Sequence, residues 1–134
     1  MTRRLAAEFL GSMLLAALVI GSGIAAQRLS PGDVGLQLLE NAAATAVGLY
    51  AIILIFGPIS GAHFNPVVSL ADAAFGGLTW REALTYVPAQ VIGCVVGRWS
   101  CRNARALPPV AKVVQALVYS VDPARARSEA RRRM

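Results

Sequence analysis

Two apolar runs, Leu5–Ala26 and Val34–Phe56, constrain this chain more than any other feature. Glu8 is the only charge in the first and Glu40 the only charge in the second. A helix of about 22 residues rises about 33 Å, enough to cross a bilayer core of about 30 Å. With 56% hydrophobic and 15% charged residues in a chain of 134, the composition is too apolar for an ordinary soluble domain. Arg3 and Arg4 ahead of the first run could imitate a secretory signal, but Glu8 interrupts it early and it is longer than a signal core. A retained span is expected over 5–26. Gly11, Gly21 and Gly23 within it, among alanines and serines, suit close helix packing in lipid rather than a lone anchor. Ser30, Pro31, Gly32 and Asp33 form a turn, and a second span is expected over 34–56.

Gly57-Pro58-Ile59-Ser60-Gly61 then reads as a helix break. Asn65-Pro66 opens a short apolar stretch that Gly76-Gly77 closes. About 11 residues, or about 16 Å of helix, reach only halfway across. A short apolar helix with its own cap, lying between glycine-rich breaks, predicts a re-entrant half-helix over 65–75. Such a segment is tolerated at membrane depth only where protein or a water-filled cavity surrounds it. A third span is expected over 80–97, with Pro88 as a kink and Gln90 as a polar group in its middle.

The net charge of +6 resembles a nucleic-acid signal until it is divided. Up to Gly97 the net charge is −1, and beyond it +7. With no recognisable nucleic-acid motif, the basic segment 98–134 reads as a disordered tail and not as a nucleic-acid partner site. Cys94 and Cys101 are too few and too far from the single histidine for a disulfide scaffold or a metal site, and read as packing residues. No cofactor, metal or catalytic residue is expected, so the chain is not read as an enzyme.

Ser60-Gly61-Ala62-His63-Phe64-Asn65-Pro66-Val67-Val68 resembles the first Asn-Pro-Ala loop of the aquaporin, or major intrinsic protein, family. Ala7-Glu8-Phe9-Leu10-Gly11 in the first run and Tyr86, Ala89, Gln90 and Gly93 in the third support the resemblance, which extends over about Arg3 to Gly97. Physical chemistry explains the pair independently. Asn at a helix N-cap accepts from a first-turn N–H, and Pro at the next position has no N–H to leave orphaned. The amide NH₂ then points outward beside the positive end of the half-helix, a site that donates to neutral oxygens and repels cations.

The resemblance implies an all-α integral membrane fold: an aquaporin-like bundle of which this chain holds one inverted repeat, three transmembrane helices plus one re-entrant half-helix. In the family two such halves, inverted in the membrane, build each pore, and four pores make a tetramer. The implied function is passive passage of water or small neutral solutes such as glycerol or metalloid acids, in a multi-pass protein of the cell inner membrane. The implied path residues are Asn65, Pro66, Val67, His63 and Thr45. Val67 departs from the family's Ala, which bears on selectivity. His63 either lines the pore or is a satisfied structural histidine. Thr45 either widens the filter or bonds a helix carbonyl. Glu8 either braces carbonyls of the other half's re-entrant loop, as the resemblance implies, or pairs with Arg4 one turn earlier. Gln90 resembles a scaffold residue bonding re-entrant backbone. Glu40 and Asn41 are placed near the outer interface. The abrupt change of composition at Gly97 carries a second expectation, a non-transporting membrane fragment of a channel gene after a frame change there.

Overall fold

The structure, a computed structural model, describes residues 1–103. Four helices make it up: α1 (Thr2–Leu29), α2 (Val34–Ser60), α3 (Pro66–Ala74) and α4 (Trp80–Asn103). α1 and α2 are long and apolar enough to cross a membrane, each with a mean hydropathy of 2.1. α4 does not meet that criterion, because Gln90, Pro88 and the arginine that follows Gly97 dilute its apolar body.

The helix ends follow local chemistry. Asp33 caps α2 by accepting the Leu36 N–H at 2.9 Å. α4 opens on a capping box, in which Thr79 Oγ1 accepts the Glu82 N–H and Glu82 Oε2 accepts the Thr79 N–H, both at 3.3 Å. The break expected at Gly57-Pro58 falls later, since α2 runs through Pro58 to Ser60. Pro58 withholds only one donor from the last turn, and Gly61, at φ +91°, stops the helix in the left-handed region with its N–H on the Gly57 carbonyl. α4 likewise does not end at Gly97. It passes through Pro88 and continues to Asn103, since no helix breaker stands between Arg98 and Asn103. The remainder of the expected tail, from residue 104, lies outside the described residues.

α1 is central, packing on α2 and α4, while α3 packs on α4. α2 runs antiparallel to α1, with Ser60 at Glu8 and Asn41 at Ser22. α4 runs parallel to it. Gly93 abuts the Phe9 carbonyl and Gly97 the Met13 carbonyl, so closely that a Cβ at either would overlap backbone. Cys101 continues the series, its thiol donating to the Ala17 carbonyl at 3.2 Å. Gly93-x-x-x-Gly97 is thus the small-residue seam that lets two membrane helices touch backbone to backbone. Towards α2 the contact is made by side chains instead: Leu18, Ile52 and Phe64 are buried together, flanked by Leu14, Leu15, Leu49 and Phe56. Val47, Tyr50 and Leu54 on α2, and Leu84, Ile92 and Val95 on α4, remain exposed. So large an apolar surface is suited to lipid or protein cover and not to water.

Candidate functional site

The loop between α2 and α3 doubles back in an uncommon backbone conformation. Gly61 is at φ +91°, Ala62 at +55° and Phe64 at +50°. Left-handed non-glycine residues cost about 1 kcal/mol or more each and persist only where neighbours over-determine them. Glu8 is the main neighbour. Fully buried on α1, its carboxylate accepts four hydrogen bonds: Ser60 Oγ at 2.5 Å, the His63 N–H at 3.2 Å, the Phe64 N–H at 2.8 Å and Gln90 Nε2 at 2.7 Å. Ser12 Oγ donates to the Phe64 carbonyl at 3.3 Å, and Tyr86 Oη to the Ser60 carbonyl at 3.1 Å. The Phe64 ring lies over Gly11, where a Cβ would leave it no room. A buried charge is thereby spread over donors from α1's two neighbours and the loop, the condition under which it is tolerated in an apolar medium.

Gln90, also fully buried, uses its NH₂ twice, on Glu8 and on Ser69 Oγ at 2.8 Å. With Ser69 accepting there, its own hydroxyl hydrogen can serve His63 Nδ1, 3.1 Å away. That assignment leaves the ring proton on Nε2, facing Asp72 Oδ2 at 3.7 Å. The His63 ring stands edge-on to Tyr86, with centroids 5.8 Å apart. At 12% side-chain exposure, it is largely occupied within this half.

Asn65 caps α3 in the expected manner: Oδ1 accepts the Val67 N–H at 2.8 Å and Pro66 takes the first helical position. The Nδ2 group has no partner among the described residues, and Val67 beside it is 71% exposed. Because Phe64 meets Gly11 and Ser12, the cap lies level with them, roughly 12 Å along α1 from Arg4 at about 1.5 Å per residue. It therefore sits at depth, open on the side away from the bundle. Thr45 lies elsewhere. It is held on α2 between Asn41, which meets Ser22, and Gly48, which meets Leu18, about 12 Å further along the axis than Asn65. Its hydroxyl has no hydrogen bond to a helix carbonyl or any other group among the described residues.

One sequence-based alternative for Glu8, pairing with Arg4, is replaced by what the structure shows. Arg4 pairs with Glu82 at 2.5 Å, not with Glu8. The re-entrant segment that Glu8 braces is this half's own, and it does so through N–H donors, since a carboxylate can only accept. Glu40 accepts from Ser30 Oγ at 2.8 Å and Asn41 Oδ1 from Ser22 Oγ at 2.6 Å, so both join α1 to α2 near the turn. Sequence reasoning passed over Ser12, Ser69 and Asp72, and gave Ser60 no role of its own. Serine is unremarkable in a membrane helix, and only folding brings residues 8, 60, 69 and 90 to one point.

A bundle of long apolar helices carrying against α4 a half-helix that starts at depth with an exposed Asn-Pro cap is the architecture of a membrane channel repeat. The chain belongs to the major intrinsic protein family, whose model it matches over residues 1–122, a match that continues past Gly97. It is 47% identical over 110 residues to the aquaglyceroporin AqpS of Rhizobium meliloti (strain 1021), covering 82% of this chain and 47% of that protein. It is 46% identical over 99 residues to aquaporin-10 of Milnesium tardigradum, covering 71% of this chain and 23% of that protein. A probable aquaporin of Arabidopsis thaliana, NIP7-1, is 39% identical over 87 residues, covering 65% of this chain and 30% of that protein. The chain thus spans less than half the length of these relatives. No solved structure matches it significantly. Family members of these names are membrane channels rather than enzymes.

Proposed function

We propose that this chain supplies one wall of a conduit for water, glycerol or similarly small neutral solutes, as a multi-pass protein of the cell inner membrane. The observation that carries the reading is the Asn65-Pro66 cap: a half-helix N-terminus at depth, with an amide NH₂ unpaired and exposed. Such an end offers donors to a neutral oxygen and disfavours cations through its dipole. Pro66 and Val67 form the rim of that end, His63 borders it from below, and Thr45 borders the path about 12 Å further on. Glu8 and Gln90 hold the loop that presents it. The name of the relative AqpS supports both water and glycerol as solutes. In a fully assembled channel four copies of the pore form a tetramer.

A single wall encloses no path, so the chain alone is expected to conduct nothing. Swelling of proteoliposomes tests this. Vesicles holding the chain alone are expected to swell no faster than empty ones. Vesicles holding it fused to the complementary half of AqpS are expected to pass water and glycerol, with flux lost in the Asn65→Asp variant. Absence of flux in the fusion, with the fusion folded, sinks the proposal. It would favour the second reading, a membrane fragment that does not transport.

A further inference from the structure

The parallel register of α1 and α4 sets the depth of every residue on α4. Gly93 meets Phe9, Gly97 meets Met13 and Cys101 meets Ala17, the last pair 84 positions apart. Arg98 therefore stands level with Leu14. Between Arg4 and Arg28, the basic residues at the two ends of α1, the helix rises about 36 Å, and Leu14 lies within about 3 Å of the middle. Arg98 is exposed, with no acidic partner among the described residues. In the docked position a guanidinium is thus held near the centre of the bilayer, where a charged side chain is among the least tolerated groups.

The same helix also carries what holds it in. Gln90 joins Glu8 and Ser69, Tyr86 donates to the Ser60 carbonyl, and Gly93 and Gly97 form the seam against α1. All of these lie before Arg98. The two halves of α4 are therefore in conflict: its first half is satisfied only when docked, and its arginine only when α4 moves back towards the face that holds Arg4, Arg81 and Trp80.

We propose that α4 is a two-position helix, docked on α1 through Gln90 and the Gly93–Gly97 seam, and withdrawn towards the N-terminal face by Arg98, which there reaches headgroup phosphates. The inference is independent of whether the chain conducts. In the docked position the Cys101 thiol is buried against the Ala17 carbonyl, and in the withdrawn position it is not. Cys101 becomes the only thiol in a Cys94→Ala background.

The test is labelling of Cys101 by a membrane-impermeant maleimide on the full chain in sealed membrane vesicles, normalised to labelling after denaturation. Thr2→Cys in a chain otherwise free of cysteine reports the side of the N-terminus. Cys101 is expected to label from that side. Arg98→Leu is expected to slow labelling by on the order of a hundredfold, the ratio that corresponds to removing one arginine from the centre of a membrane helix. Arg98→Lys, which keeps the charge, is expected to leave labelling fast and so separates charge from shape. Protection of Cys101 from both sides in the Arg98 chain, labelling from the opposite side only, or an equal rate in the Arg98→Leu variant overturns the proposal.

Discussion

α1 has two contacting faces, and they are built on different principles. Towards α2 it offers large side chains: Leu18 fits over Gly48, Leu14 and Leu15 flank Ile52, and Ser22 reaches Asn41. Towards α4 it offers backbone, with the Phe9 and Met13 carbonyls against Gly93 and Gly97, and a buried carboxylate that takes Gln90 of α4 together with Ser60 of α2 and two N–H groups of the loop. The first face is adaptable, because a side chain can turn into another rotamer. The second is not, because neither a backbone carbonyl nor a shared carboxylate has an alternative position. In lipid, where apolar burial between helices gives little drive, it is the rigid face that positions the re-entrant loop.

That contrast can be broken most severely at Glu8. Glu8→Gln keeps the shape but turns an NH₂ towards groups that are themselves donors. The expected loss is about 4 kcal/mol, from two or more buried donors left unpaired at roughly 1–3 kcal/mol each. Titration of the detergent-solubilised protein with SDS, followed by circular dichroism, measures it. A loss under about 1 kcal/mol would mean that the loop is held by Ser12 and Tyr86 instead.

A matched pair of glycines sharpens the comparison. Gly93→Ala sets a methyl against the Phe9 carbonyl and is expected to cost about 2–3 kcal/mol, the range for overpacking with no room to relax. Gly48→Ala sets the same methyl against the Leu18 side chain, which can rotate, and is expected to cost about 1 kcal/mol or less. The same SDS titration ranks them. Equal losses would show that the two faces are equally rigid.

The smallest effect is expected at Ser22→Ala, which removes the hydrogen bond to Asn41. Polar contacts between membrane helices average about 0.6 kcal/mol, and Ser22 Oγ also lies 2.7 Å from the Leu18 carbonyl of its own helix, so the lost contact is already shared. A double-mutant cycle with Asn41→Ala isolates it.

Much of this architecture is legible in the order of residues. Spans, turn and half-helix follow from apolar run lengths set against a fixed bilayer thickness, from the turn cluster ending in Asp33, and from Asn65-Pro66, whose capping chemistry is local. Helix ends were less legible. Pro58 looks like a stop, yet it costs a single donor, and α2 runs through it to Ser60.

Sequence by itself thus determined the class of molecule, because hydropathy and capping are local properties, readable one segment at a time. It also determined that Asn65 would expose an amide at a half-helix end. Tertiary structure decided what Glu8 does, how far His63 is occupied by Ser69, Asp72 and Tyr86, and that Arg98 stands level with Leu14. Those outcomes depend on the relative register of α1 and α4, which is set by the seam at Gly93 and Gly97. A register between helices belongs to neither segment alone, and no single stretch of the chain encodes it.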